Sequence, residues 1–138
     1  PFFDLPAPKS LDRDTFKPLI NSALENETFE DGAALLTAFT VLTIVRGIEN
    51  LPRLSKTCIV VGGGRHNKAI MSQLDSKLTT NVLSGDLIGW KGDAIEAQAF
   101  GFLAVRSKQK LPISFPGTTG APFPMSGGEY YSMCREKD

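Results

Sequence analysis

Residues 58–67 constrain the fold of this chain more than any other stretch, because they combine an apolar run, three glycines and a helix N-cap. The run 58–61 predicts a short buried strand, and the glycines at 62–64 end it. Asn67 is a favourable N-cap residue, and apolar residues recur after it with helical spacing as far as Leu78. A strand that ends in glycine and leads into a helix places backbone N–H groups at the carboxyl end of a sheet, where open α/β sheets bind ligands.

Two interpretations of residues 62–67, called the glycine turn below, are open. Free backbone amides and the partial positive charge of a helix N-terminus suit a phosphate, whereas the alternative is a tight turn that binds nothing. The segment is not a P-loop, because no Gly-Lys-Ser or Gly-Lys-Thr follows, and Asn67 stands where a dinucleotide fingerprint has its third glycine. His66 is the single histidine of the sequence, and its place in the turn leaves both a structural and a catalytic role open.

Composition indicates one domain with an ordinary core and excludes several classes of function. The 138 residues are 41% hydrophobic and 22% charged with a formal net charge of zero, so neither nucleic acid nor an anionic membrane is an expected partner. We expect no transmembrane helix, because no apolar run approaches the roughly 18 residues that would span a bilayer. Cys58 and Cys134 are expected to be reduced thiols of a cytoplasmic protein, and two thiols with one histidine are too few for a zinc site.

The first fifty residues predict two helices after an extended, proline-rich start. A helix over about residues 11–25 would be capped by Ser10 or Asp12, with Pro18 in its first turns or at a kink. The strongest helical pattern covers residues 31–48, with Thr28 or Asp31 as its cap. Its apolar residues leave little polar face, so we expect this helix to be buried on more than one side.

A second strand and a last helix follow the glycine turn. Residues 80–84 predict a strand parallel to the first, because a helix separates the two in a right-handed crossover. Residues 92–107 predict a helix in which Asp93 and Glu96 have the spacing of a capping box. Glu96 shares a face with two apolar side chains, so it is either a cap or a site residue, and both roles can hold at once. Residues 111–128 are rich in proline and glycine and predict an ordered loop without regular structure.

Five motifs in order resemble the carboxyl-terminal part of the anhydro-N-acetylmuramic acid kinase family: PAPKS, DGAALLTAFT, VGGGRHN, GDAIEAQAFGFLAVR and LPISFPGTTGAPFPMSGG. That family is similar to the sugar kinase, actin and heat-shock chaperone superfamily. The resemblance implies an α/β fold, namely a partial ribonuclease-H-like (actin-like ATPase) domain that is helix-rich with a short parallel sheet remnant. Residues 1–110 would form the carboxyl-terminal lobe of a two-lobed kinase, and residues 111–138 a Pro/Gly-rich loop and tail.

The resemblance also implies a reaction and its site residues. Family members open the 1,6-anhydro ring of anhydro-N-acetylmuramic acid and phosphorylate O6 with ATP and Mg²⁺, in cell-wall recycling. Glu96 would activate water and bind the sugar together with Asp93. The nucleotide would be bound by the glycine turn, through Gly62, Gly63, Gly64, His66 and Asn67. No metal ligand is implied within this chain.

The remaining expectations concern a missing amino-terminal portion of the protein, its oligomeric state and the alternative functions. The family's main catalytic aspartate and its phosphate-binding motif have no counterpart here, so we expect both upstream of Pro1 in a missing amino-terminal portion, and we expect the isolated chain to be inactive. Residues 11 and 12 depart from the family pattern of Thr-Gly. A homodimer is possible. The alternatives are a non-catalytic nucleotide-binding or interaction domain of the same superfamily, and a member of it with a different substrate.

Overall fold

The computed structural model describes residues 2–53 and 55–131, with no account of the Arg13 side chain. The chain divides into two compact units. The first comprises Pro1–Leu5 and Ser10–Ile95, and the second comprises Pro6–Lys9 and Glu96–Asp138.

The first unit begins with short helical segments before its long helix. The predicted helix over 11–25 is instead a 3-10 turn, Arg13–Phe16, followed by helix α1, Lys17–Leu24. Asp12 provides the cap, because its carboxylate accepts a hydrogen bond from the Asp14 N–H at 2.8 Å. Pro18 lies in the first turn of α1, where its missing N–H leaves no helical hydrogen bond unmade.

Helix α2, Phe29–Glu49, confirms the longest predicted helix and extends it by a few residues. Thr28 caps it by accepting a hydrogen bond from the Asp31 N–H at 3.1 Å, and its hydroxyl donates to the Asp31 carboxylate at 2.7 Å. Asn50 ends the helix, with its N–H donated to the Arg46 carbonyl.

The prediction that α2 is buried on more than one side is wrong within this unit. Of its 21 residues only Gly32 and Val41 are buried. Helix α3, Lys68–Lys77, and the amino-terminal segment Phe2–Asp4 make most of the described contacts with α2, and Phe16 adds an edge-to-face ring contact with Phe39. These contacts leave much of the helix surface uncovered. Four large apolar side chains of α2 are therefore exposed, namely Phe29, Leu36, Leu42 and Ile44.

Helix α2 also has the length and composition to cross a membrane, which corrects the expectation that no apolar run approaches a spanning length. An 18-residue window has mean hydropathy 1.5, and 11% of that window is buried among the described residues. Core helices of soluble proteins meet the same two criteria, so a single helix of this kind is weak evidence for a span. The expected lack of a membrane partner stays a prediction.

The two predicted strands form a parallel sheet, as expected from the crossover helix between them. Strand β1, Thr57–Val60, pairs with strand β2, Asn81–Ser84, in the register that places Cys58 opposite Val82. Helix α3 connects the strands, and its Leu74 is fully buried together with Val41 of α2. Each strand has one partner within the described residues, so both outer edges of this sheet are open.

The second unit contains helix α4, Ile95–Lys108, of which all but Ile95 belongs to it. The proline- and glycine-rich stretch after α4 is ordered, and it includes a short helix α5, Pro116–Thr119, which the sequence did not predict. Pro116 suits the first turn of a helix, and Gly120 ends α5 with φ of +73°. The Arg106 guanidinium donates to the Pro112 carbonyl at 2.7 Å, which ties this stretch to α4.

Candidate functional site

The glycine turn is separated from the end of β1 by one residue, and its backbone conformation explains why its first residue is glycine. Gly62 has φ of +69°, in the left-handed region that a side chain disfavours. Gly63–His66 form one 3-10 turn, and Asn67 then caps α3 as predicted. The Asn67 side-chain oxygen accepts hydrogen bonds from the N–H groups of Ala69 at 3.0 Å and Ile70 at 3.2 Å.

The three glycine amides of this turn differ in their hydrogen bonding. The Gly62 N–H donates to the Gly92 carbonyl at 3.0 Å, so this amide is not open to a ligand. No hydrogen bond among the described residues uses the N–H of Gly63 or Gly64. Both of these glycines are exposed, and a Cβ placed on either would have no heavy atom within 4 Å. Two unpaired donors therefore lie in an exposed, uncrowded turn beyond the carboxyl end of β1.

Arg65 is the best-connected side chain of the turn, and no sequence pattern singled it out. Its side chain is 4% exposed. Its Nε donates to Asp86 Oδ2 at 2.7 Å, and Nη1 and Nη2 donate to the two carboxylate oxygens of Asp93 at 2.5 and 2.7 Å. Nη1 also donates to the Gly62 carbonyl at 2.8 Å. We call Arg65, Asp86, Asp93 and the Gly62 carbonyl the arginine clamp.

The charges of the arginine clamp stabilise one another. Hydrogen bonds from the Arg65 guanidinium lower the pKa of Asp93 to about 2 and hold the pKa of Asp86 below its ordinary value. The same hydrogen bonds raise the pKa of Arg65. All three groups are therefore ionised at neutral pH, and the pairing of a planar guanidinium with a carboxylate through two parallel bonds fixes geometry as well as charge.

The arginine clamp joins the segments that follow the two strands. Asp86 lies just after β2, and its carboxylate also accepts hydrogen bonds from the Ser84 hydroxyl and the Gly92 N–H, both at 3.3 Å. Gly92 is buried, and a Cβ there would overlap the Arg65 guanidinium. Glycine at this position therefore leaves the room that the Arg65 side chain occupies. Because the strands are parallel, both segments lie at the same edge of the sheet.

The capping box predicted for Asp93 and Glu96 is wrong. Helix α4 begins at Ile95, two residues after Asp93, and both oxygens of that carboxylate accept hydrogen bonds from Arg65. Within the described part of the chain, the Glu96 carboxylate has no hydrogen bond or ion pair, and the residue is exposed. Glu96 is thus not a cap held by Asp93, and its role as a site residue stays a prediction.

Comparison with known proteins identifies the family. A profile described as anhydro-N-acetylmuramic acid kinase matches residues 1–133. The chain belongs to this family. Proteins named anhydro-N-acetylmuramic acid kinase from Rhizobium rhizogenes and Acidiphilium cryptum are 48% and 49% identical to it, each over 128 residues and 93% of the chain. The protein of that name from Caulobacter vibrioides is 48% identical over 133 residues, or 96% of the chain.

The chain spans about a third of the length of these relatives, since the matches cover 34% of the Rhizobium rhizogenes protein and 35% of each of the other two. The family assignment confirms the resemblance drawn from the five motifs.

The resemblance to anhydro-N-acetylmuramic acid kinases assigns five residues to nucleotide binding. These residues differ in whether their hydrogen-bonding groups are already paired within the chain. Gly63 and Gly64 offer unpaired N–H groups, whereas the amide of Gly62 and the side-chain oxygen of Asn67 already have partners. His66 is exposed, with Nε2 3.6 Å from Asp93 Oδ1, so a protonated ring would pair with that carboxylate. This contact is compatible with either a structural or a catalytic role for His66.

Two further expectations from the sequence concern the state of the two cysteines and the binding of metal ions. Cys58 is a free, half-buried thiol, and burial raises its pKa, which favours the protonated form. Cys134 lies outside the described residues. Across residues 2–53 and 55–131, no group of three or more His, Cys, Asp or Glu side chains is arranged to hold a metal ion.

Proposed function

We propose that this chain is part of a cytoplasmic, ATP-dependent sugar kinase that opens the 1,6-anhydro ring of anhydro-N-acetylmuramic acid and phosphorylates O6 in cell-wall recycling. The observation that carries this proposal is the pair of unpaired N–H groups at Gly63 and Gly64, in a chain of this family. Unpaired amides beside open space suit the anionic oxygens of a nucleotide, because charge-assisted hydrogen bonds to phosphate are strong and a side chain would block the approach.

The partial fold supports a lobe of an actin-like, ribonuclease-H-like ATPase. Residues 1–110 would belong to the carboxyl-terminal lobe and residues 111–138 to its loop and tail. The exposed apolar side chains of α2 and the open edges of the β1–β2 sheet suit packing against a remaining portion of the same protein. We use the term complete kinase for this chain together with that portion, which would also supply the general base.

On the nucleotide side, the described residues would bind phosphate oxygens. When bound, ATP supplies the phosphoryl group and Mg²⁺ neutralises its charge, so catalysis depends largely on positioning and electrostatics. The N–H groups of Gly63 and Gly64 would donate to phosphate oxygens. The magnesium ion would be held mainly by the phosphates and by the remaining portion, because the carboxylates of Asp86 and Asp93 are paired with Arg65.

Glu96 would act on the sugar side by activating the water that opens the anhydro ring. Hydrolysis adds a hydroxyl group to C1 and a proton to O6, which can then accept the phosphoryl group. A carboxylate within hydrogen-bonding reach can aid this activation by accepting a hydrogen bond from the water, while the general base of the remaining portion takes its proton. The exposed Glu96 carboxylate, which no described residue engages, has its full acceptor capacity available for this role. Asp93 would make a second contact with the sugar, using carboxylate lone pairs that do not accept hydrogen bonds from Arg65.

One observation favours a second candidate, a non-catalytic nucleotide-binding or interaction domain of the same superfamily. Glu96 has no partner within the described residues that orients it. A catalytic carboxylate is usually held by neighbouring groups, so this freedom would also suit a chain that has kept the nucleotide turn and lost the chemistry.

The two candidates are separated by assaying the complete kinase with ATP, Mg²⁺ and anhydro-N-acetylmuramic acid. We expect equimolar ADP and a sugar phosphate in which the ring has gained water, both detected by mass spectrometry. Nucleotide binding without either product would favour the non-catalytic candidate. The isolated 138-residue chain is expected to show no turnover, and a rate comparable to that of the complete kinase would contradict the proposal that the remaining portion supplies the general base.

A further inference from the structure

We infer that Arg65 is a positioning residue, whose guanidinium holds the glycine turn in the conformation that leaves the Gly63 and Gly64 amides free for the nucleotide. The inference rests on the proposed function. It goes beyond it by assigning a role to a side chain that the family resemblance did not implicate.

The bonding of Arg65 indicates that it acts on the turn rather than on a ligand. A guanidinium has five N–H donors, and four of those of Arg65 are used by Asp86, Asp93 and the Gly62 carbonyl. Its side chain is 4% exposed, so little of it is accessible to a bound molecule. A buried charge is tolerated when its partners satisfy it, and here they do so with short, charge-assisted bonds.

Arg65 controls the turn through Gly62. The Gly62 carbonyl accepts from Arg65, while the Gly62 N–H donates to the carbonyl of Gly92. The Gly92 N–H in turn donates to Asp86, which closes a ring of hydrogen bonds back to Arg65. Both polar groups of the Gly62 backbone are therefore fixed at its left-handed φ. The next two amides, of Gly63 and Gly64, donate to no described residue.

Loss of the guanidinium would affect nucleotide binding in two ways. The Gly62 carbonyl would lose its side-chain donor, so the turn could rotate and bury or misdirect the two free amides. Asp86 and Asp93 would also lose the positive charge between them, leaving two carboxylates at the sheet edge where anionic phosphates are proposed to bind. Both effects weaken ATP binding, whereas sugar binding is affected only through Asp93, whose carboxylate would lose the guanidinium that orients it.

The test compares Arg65→Met with Arg46→Met in the complete kinase, by steady-state kinetics with each substrate varied. Methionine keeps an unbranched apolar chain and removes every donor. We expect Arg65→Met to raise the KM for ATP tenfold or more and the KM for the sugar by a clearly smaller factor, since the sugar is affected only through Asp93. Arg46 pairs with Asp4 on the same unit but is 53% exposed and far from the turn in sequence, so its variant should change neither constant by more than twofold.

Two further variants keep the test decisive if Arg65→Met does not fold. Arg65→Lys retains the charge without the paired donors and should raise the ATP KM by an intermediate amount. Asp86→Asn removes one partner and should raise it about threefold, less than additively when combined with Arg65→Lys, because both act on one network.

The outcomes separate this inference from the proposed function. Variants that lower the melting temperature but leave the KM for ATP unchanged would show a purely structural arginine and overturn the inference. Equal increases in both KM values would overturn it as well. If the unsubstituted complete kinase binds no nucleotide, the proposed function fails and the inference is overturned with it, whereas nucleotide binding that the Arg65 variants leave unchanged overturns the inference alone.

Discussion

Gly63→Val in the complete kinase is expected to raise the KM for ATP by about tenfold to hundredfold. A branched side chain at Gly63 would fill the open space beside the two free amides and prevent a phosphate from reaching them. Loss of a hydrogen bond to a charged group costs about 1.5–3 kcal/mol, and each 1.4 kcal/mol is about a tenfold change in affinity. Gly63 is preferred to Gly62 for this test, because Gly62 has positive φ and any side chain there would also strain the backbone.

The matched control is Gly47→Val in helix α2. Gly47 is exposed, and a Cβ there also has no heavy atom within 4 Å, so the substitution adds the same volume to open space away from the glycine turn. We expect its KM for ATP to change less than twofold. An unchanged ATP affinity in Gly63→Val, measured by equilibrium binding, would remove the turn from the nucleotide site.

Glu96→Gln is expected to lower kcat by about 100-fold, because the carboxylate is proposed to aid the activation of the attacking water. Glutamine keeps the size of the side chain and can still donate and accept hydrogen bonds, but it lacks the negative charge that aids activation of the water. The KM values should change little, because the charge matters most when the water is activated. The rate is followed as sugar phosphate formed under saturating ATP.

Glu30→Gln provides the control for charge at a helix start. Glu30 and Glu96 both lie in the first turn of a helix, α2 and α4, so each substitution removes a similar favourable interaction with the helix dipole. Glu30→Gln should therefore reproduce any loss of thermal stability without the loss of kcat. If Glu96→Gln lowered only the melting temperature, Glu96 would have a structural role and the sugar-side assignment would be rejected.

The elements that local sequence determines were predicted well. The sequence predicted β1 from an apolar run, the turn from three glycines, and the start of α3 from Asn67. These predictions held because strand propensity, a left-handed φ and N-capping each depend on a few adjacent residues. The parallel pairing of β1 with β2 followed from the helix between them. Thr28 and Asp12 act as caps for the same local reason.

The features that the sequence missed depend on contacts between distant residues. Arg65 is 21 residues from Asp86 and 28 from Asp93, and nothing in either neighbourhood marks them as partners. The capping box failed for the same reason, since Asp93 pairs with Arg65 in preference to the first turn of α4. The burial of α2 was overestimated because hydrophobicity predicts that a face will be covered but not which segment covers it.

The central claim is that the amides of Gly63 and Gly64 bind the anionic end of the nucleotide, and glycine-selective ¹⁵N spectra of the complete kinase test it most directly. Their two resonances can be assigned with Gly63→Ala and Gly64→Ala, and ADP with Mg²⁺ serves as a ligand that is not consumed. We predict that both N–H resonances shift on titration, while that of Gly47 does not. Nucleotide binding that moves other resonances and leaves those of Gly63 and Gly64 in place would contradict the claim.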